Sequence, residues 1–215
     1  MNIAAGIAGL VGAALIIIGS LVVAFNNRPY SPLLNMVSQL GHRNSRLHTL
    51  MNVCLILGGA AFGILGFGLA VAFPDVWLHY TLGTLAIVAG VAGMFVGFVP
   101  SGVPNDTSMA HLLIAIVFFL LSAVLVGIFS GFVLFSNQTT FPQGIGAVGI
   151  VPVIDALIML IAGLVKLITG STVWSKPDIR DGSTPSIMLM PTTEWLYIIS
   201  LNVWVIVVSI ALLAK

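Results

Sequence analysis

Six long apolar runs dominate the chain, and each is long enough to cross a bilayer. A membrane-spanning helix needs about 20 mainly apolar residues. The runs are continuous and lack the alternation of a membrane barrel, so each is expected to be helical. The sequence predicts an all-α integral membrane protein, with 1–215 as one domain of six antiparallel transmembrane helices. The predicted spans are 3–25, 49–73, 77–99, 109–135, 145–169 and 194–214.

Composition supports a membrane environment and excludes several classes of protein. Hydrophobic residues make up 59% of the chain and charged residues 6%, whereas about a quarter of an ordinary soluble domain is charged. The net charge of +1 argues against a nucleic-acid partner, which requires a concentrated basic patch. Cys54 is the single cysteine, so neither a disulfide framework nor a cysteine-based metal site is expected.

The lysines and arginines predict the orientation of the helices. Cytoplasmic loops of membrane proteins carry an excess of these residues. The end of the bundle that is rich in arginine should therefore be cytoplasmic, and both termini should lie on the outer side of a cell membrane. Asn137-Gln-Thr then lies outside and is a candidate glycosylation site, whereas Asn105-Asp-Thr lies inside. The predicted cytoplasmic cations are Arg28, Arg43, Arg46, Lys166, Lys176 and Arg180, against Lys215 on the other side.

The link between the first two spans contains a helical pattern. Leu33, Met36, Val37 and Leu40 have the spacing of one helical face, which predicts a short interfacial helix near 31–41. Arg43 and Arg46 would then lie at the depth of the lipid headgroups. The segment 31–48 is either a simple connector or a cover over polar residues at the ends of the spans.

Glycine stripes in spans one to four predict close helix packing. Span three has Gly83, Gly90 and Gly97 at seven-residue intervals, together with Gly93 four residues before Gly97, and span two has Gly59, Gly63 and Gly66. Small residues let helix backbones approach closely in lipid, where no hydrophobic drive brings helices together. The stripes serve packing within the bundle or contact with another copy.

Asp155 is the clearest ionisable residue at membrane depth. If the fifth helix starts near Ile145, Asp155 lies near the membrane midplane and is a candidate proton or ligand site. If the regular helix starts at Pro152, the carboxylate lies in the first turn, where it interacts favourably with the helix dipole. In either case Asp155 is expected to face protein rather than lipid.

Several polar side chains fall in the Arg-rich half of the membrane, and we consider them candidate ligand or lipid contacts. Glu194 and Asp106 stand where spans six and four open, which suits helix capping. Asn52 and Asn202 are expected to form hydrogen bonds between helices. The group comprises Ser38, Asn52, Asp106, His111, Glu194 and Asn202. If the segment 31–48 is a cover rather than a connector, it would lie chiefly over His111 and Glu194.

Three fragments resemble the six-span prokaryotic membrane family catalogued as domain of unknown function nine-nine-eight. They are YSPLLNMVSQLG before span two, GFVPSGVPNDTSMAHLLIAIVFF into span four, and TEWLYIISLNVW in span six. The matched motif positions are Ser31-Pro32, Ser38 to Gly41, Pro100 with His111, and Glu194 with Trp204. Gln39 stands where the family has an acidic residue, and Trp195 where it has a basic one. The resemblance implies the six-span fold and a membrane location, and no activity.

The sequence favours a non-enzymatic membrane protein, either a lipid-binding bundle or an accessory subunit. Its expected partners are membrane lipids, and other membrane subunits or copies of the chain, with no cofactor and no metal. One alternative is a proton-coupled transporter centred on Asp155. Another is a ceramidase-like hydrolase, with His42, His48 and His111 as zinc ligands.

Overall fold

The structure is a computed structural model that describes residues 2–28, 30–99, 109–169 and 189–215, without the side chains of 166, 167 and 169. Lys176, Arg180, Asp106 and the Asn105 sequon lie outside the described residues. The described residues form helices and no strand. The long helices are α1 (Asn2–Asn26), α2 (His48–Ala72), α3 (Val76–Phe98), α4 (Met109–Phe135), α5 (Gln143–Thr169) and α6 (Leu189–Leu213).

All six helices are long and apolar enough to cross a membrane. Each helix packs against the next one in the chain, and α6 returns to pack against α1, so the bundle is a closed ring in sequence order. Large side chains such as Trp204, Tyr197 and Phe129 fill its interior. The predicted helical membrane bundle is confirmed.

Glycines bring α2 and α3 into backbone contact. A Cβ atom placed on Gly59 would collide with the backbone nitrogen of Met94, and one on Gly90 would lie 2.8 Å from the Cα of Gly63. A link of three residues, 73–75, joins the two helices, and the Asp75 carboxylate caps α3 by accepting a hydrogen bond from Leu78 N at 2.9 Å. The predicted glycine stripes therefore serve packing within the bundle at this pair.

A short 3₁₀ helix, Val37–Gly41, lies in the link between α1 and α2 and packs against α1, α2 and α6. The helical part is shorter than the predicted range of 31–41, and turns precede it. The carbonyl of Asn35 accepts hydrogen bonds from the Tyr30 hydroxyl at 3.1 Å and from Trp195 Nε1 at 3.2 Å. These side-chain donors take an acceptor that an α-helix would use, so the regular helix begins only at Val37.

The predicted start of α6 is wrong, whereas α5 begins two residues before the predicted span 145–169 and excludes the alternative start at Pro152. Helix α5 runs without interruption from Gln143, with Pro152 inside it, so Asp155 does not lie in a first turn. Helix α6 begins at Leu189, so Glu194 is its sixth residue rather than its opening one. Pro191 stands in the first turn of α6, where its missing N–H is not needed, and the helix extends ahead of the predicted start.

Candidate functional site

A cavity of about 70 Å³ lies inside the ring, next to the 3₁₀ helix. Among the residues that the structure describes, the helices α1, α2, α3, α4 and α6 contribute to its wall, and none of α5 does. The described part of the wall is apolar except for Ser38, Glu194 and Asn202. Its residues are Gly9, Gly12, Ala13, Ile16, Val37, Ser38, Leu55, Gly58, Gly59, Phe62, Gly93, Val96, Ala115, Phe118, Phe119, Glu194, Ile198, Leu201, Asn202 and Val205.

Helix α6 contributes two of the three polar groups in the cavity wall. Glu194, Ile198, Leu201, Asn202 and Val205 line the cavity, and their spacing of four, three, one and three places them on one helical face. The Asn202 side chain donates from Nδ2 to the carbonyl of Ile198 at 2.7 Å. This bond ties the amide to its own helix, so the predicted interhelical bond of Asn202 is not the one that the structure shows.

Glu194 is buried and joins α6 to the 3₁₀ helix. Its Oε1 accepts a hydrogen bond from the backbone nitrogen of Ser38 at 3.3 Å, and the amide of Val37 and the hydroxyl of Ser38 also bond to this carboxylate. The first amides of a helix have no acceptor within it. The side-chain oxygens of Glu194 supply the missing acceptors, so this residue caps the 3₁₀ helix from a distant part of the chain.

Trp195 holds the turn that precedes the 3₁₀ helix. Its Nε1 donates to the Tyr30 hydroxyl at 3.0 Å and to the carbonyl of Asn35 at 3.2 Å. The single hydrogen of the Tyr30 hydroxyl is shared between the carbonyls of Asn35 at 3.1 Å and Met36 at 3.0 Å. Burial raises the pKa of the Tyr30 phenol, which keeps it protonated as a donor. Sequence reasoning missed this pair, although two aromatic residues with polar atoms beside a polar segment were a usable signal.

Asn52 fixes the other end of the 3₁₀ helix. Its Nδ2 donates to the carbonyl of Gly41 at 3.2 Å. The predicted hydrogen bond of Asn52 therefore joins α2 to the 3₁₀ helix rather than to another long helix. A Cβ atom on residue 41 would collide with Asn52 Oδ1, so a larger residue there would require the Asn52 side chain to move. In the described structure Oδ1 is buried and has no hydrogen-bond partner.

His111 is buried near the start of α4 and contacts Val99, the residue that follows α3, rather than the 3₁₀ helix. Its Nδ1 lies 2.6 Å from the carbonyl of Val99. A carbonyl only accepts, so Nδ1 carries the hydrogen. Nε2 is buried without a partner in the described structure. His111 precedes the cavity residue Ala115 by about one helical turn. Its described hydrogen bond is to Val99 and not to Glu194.

Arg43 and Arg46 are exposed and lie beyond the 3₁₀ helix. The backbone nitrogen of Arg46 donates to Asn27 Oδ1 at 2.8 Å, and Asn27 Nδ2 donates to the hydroxyl of Ser45 at 2.5 Å. Asn27 thus ties the end of α1 to this loop, close in sequence to the exposed Arg28. The arginine side chains do not enter the cavity wall.

Two remaining candidate residues lie away from the cavity. Asp155 is half-buried in the middle of α5, and the cavity wall does not include it. Asn137 is exposed in the link between α4 and α5. Among the described residues, no group of three or more His, Cys, Asp or Glu side chains is placed to hold a metal ion.

The closed ring of six apolar helices defines a multi-pass helical membrane protein. A family model described as "Protein of unknown function (DUF998)" matches residues 10–211, and the chain belongs to this family. The resemblance in the sequence fragments is thereby confirmed. No curated protein and no solved structure matches the chain.

Proposed function

We propose that this protein is a lipid-binding membrane protein whose central cavity takes part of the apolar chain of a membrane amphiphile. The observation that supports this proposal is the cavity itself, whose described wall is apolar apart from Ser38, Glu194 and Asn202. Water gains few hydrogen bonds in a space of this kind, and apolar cavities of comparable chemistry bind apolar molecules. An apolar group gains dispersion contacts there that water does not supply.

The size of the cavity limits what it holds. Sites that enclose a whole drug-sized ligand have volumes of roughly 300–1,000 Å³, whereas this cavity measures about 70 Å³. It therefore accommodates a short segment of an acyl or isoprenoid chain, and the rest of the molecule stays in the bilayer. The polar end of the wall, at Glu194 and Asn202, favours a hydroxyl, amide or amine near the inserted segment.

The position of the 3₁₀ helix supports binding at the centre rather than at the outer surface. Val37 and Ser38 belong both to this helix and to the cavity wall. Glu194 and Trp195 hold the segment 30–41 against α6. The cavity is thus covered at its Arg-rich end, and exchange of a ligand there requires these hydrogen bonds to open.

Photolabelling with a lipid tests the proposal. The purified protein is reconstituted with a phosphatidylcholine that carries a diazirine on its acyl chain, and the labelled peptides are identified by mass spectrometry. Ala115→Leu, which places a larger side chain in the cavity, should reduce labelling of α2 and α6 cavity residues at least about tenfold, because the added methylenes occupy the space. Ala110→Leu, an exposed position on the same helix, is the matched control and should leave labelling unchanged.

A second variant guards against a folding defect in Ala115→Leu. Leu201→Ala enlarges the cavity and should preserve or increase labelling. Equal labelling of the cavity residues in all three variants, or labelling confined to the outer faces of the helices, would contradict the proposal.

A further inference from the structure

Asp155 lies at the middle of a membrane span. It follows Gln143, the first residue of α5, by twelve residues and precedes Thr169, the last, by fourteen. At 1.5 Å per residue it lies about 18 Å from the start of the helix. Every other ionisable residue in the described helices stands nearer to a helix end, as His111 and Glu194 do. The carboxylate is therefore the charged group farthest from water.

Asp155 lies at the edge of the exposed side of α5, between exposed Val151 and Ile158 on one flank and buried Pro152 on the other. Val151 and Ile158, one turn before and one turn after it on this side, are 53% and 43% exposed. Asp155 itself is half-buried, and no hydrogen bond or ion pair of its carboxylate is recorded with another described residue. Of the six helices as the structure describes them, α5 is the least buried: 17% of its most apolar segment is buried within the bundle, against 56% for α2.

A carboxylate at this depth requires a partner of opposite charge or a hydrogen-bond donor. Charged side chains at the bilayer centre are expensive, and those that persist pair with one another or face the interior of a bundle. The described cations of this chain do not supply the partner, because Arg28, Arg43, Arg46 and Lys215 all lie outside the spans. The position of Lys166, eleven residues after Asp155, is close to the end of α5.

We propose that the face of α5 formed by Val151, Asp155 and Ile158 packs in the membrane against a transmembrane helix of another protein, which carries a Lys or Arg near the bilayer centre. Charge complementarity selects this occupant. A second copy of the chain in the same orientation would bring one Asp155 carboxylate towards the other, and like charges disfavour that contact. The exposed apolar neighbours supply the packing surface, as in other helix contacts in lipid.

Synthetic helices with one central cation test the proposal independently of the cavity. The probe is a labelled Leu-rich transmembrane peptide with a single central Lys, and its matched control has Leu at that position. Energy transfer to the labelled protein is measured in phosphatidylcholine vesicles at pH 7. The Lys peptide should associate about tenfold more tightly than the Leu peptide, a difference of about 1.4 kcal/mol, and Asp155→Asn should remove the difference.

Controls distinguish the other occupants of this face. Asp155→Leu, which removes the polar group, should bind both peptides equally. Energy transfer between labelled copies of the protein should be the same for the wild type and for both Asp155 variants. Equal binding of the two peptides by the wild-type protein would overturn the proposal, as would transfer between copies that disappears in Asp155→Asn. The first result would indicate a neutral, lipid-facing residue, and the second a homodimer.

Discussion

The backbone nitrogen of Ser38 donates a hydrogen bond of 3.3 Å to the carboxylate of Glu194, and thereby joins two residues that are 156 positions apart. The same carboxylate bonds to the amide of Val37. Both residues of the donor segment also line the central cavity. The cover of the cavity and its polar end are therefore one hydrogen-bonded unit, which makes the stability of residues 37–41 depend on Glu194.

The first prediction concerns the loss of this acceptor. Glu194→Leu leaves the amides of Val37 and Ser38 without their carboxylate, and an unsatisfied buried donor costs about 1–3 kcal/mol. Hydrogen exchange of residues 37–41 should accelerate, and the free energy of unfolding in mixed micelles should fall. Glu194→Gln keeps an acceptor oxygen and should lose less than Glu194→Leu. Exchange of residues 37–41 in Glu194→Leu at the wild-type rate would show that the carboxylate does not hold the 3₁₀ helix.

The second prediction separates the Trp195 contacts from the Glu194 contacts. Trp195→Phe removes the indole N–H that reaches the Tyr30 hydroxyl and the Asn35 carbonyl, and Tyr30→Phe removes the hydroxyl. Each change should destabilise the protein by about 0.5–1.5 kcal/mol, the usual net value of a hydrogen bond. The double variant should lose less than the sum, because the two residues share a bond. Strict additivity in chemical unfolding experiments would contradict a coupled pair.

The third prediction contrasts two glycines. Gly59→Ala forces a methyl group onto the backbone of Met94 and should destabilise the bundle by about 1–3 kcal/mol, as overpacking does. Gly131, on α4, meets nothing within 4 Å of an added Cβ, so Gly131→Ala should be neutral or stabilising, because alanine favours helix more than glycine does. Unfolding of the two variants in the same micelles gives the comparison. A larger loss for Gly131→Ala would refute the assigned contacts.

The number and approximate bounds of the spans could be predicted from the sequence, because continuous apolar length alone makes a helix cross a bilayer. The start of α4 at Met109 agrees with the prediction. The start of α6 does not, since Pro191 lies in a first turn that tolerates proline. The start of α5 at Gln143 lies close to the predicted 145, and of the two alternatives left open the start at Pro152 is excluded, because the residues before it continue the helix.

The candidate site could be predicted only in part. The sequence analysis placed Ser38 and Glu194 on the same side of the membrane, and the structure brings these two residues into contact. It leaves His111 on the carbonyl of Val99, because a common depth in the membrane does not specify which helices are neighbours in the ring. The hydrogen bond between Tyr30 and Trp195 joins residues 165 positions apart; the sequence signals that both are aromatic residues with polar atoms, but not that the two meet.

The last prediction concerns the exposed arginines next to the cover. Each cation near an anionic membrane surface contributes about 1 kcal/mol of attraction, so Arg43→Ala with Arg46→Ala should lower the amount of co-purified anionic lipid several-fold. Both side chains are exposed, and the hydrogen bond from the Arg46 backbone to Asn27 survives the change, so the fold should be retained. Lys215→Ala, at the opposite end of the bundle, is the control. Lipid analysis by mass spectrometry after mild detergent extraction gives the readout, and unchanged anionic lipid in the double variant would leave residues 42–48 as a connector only.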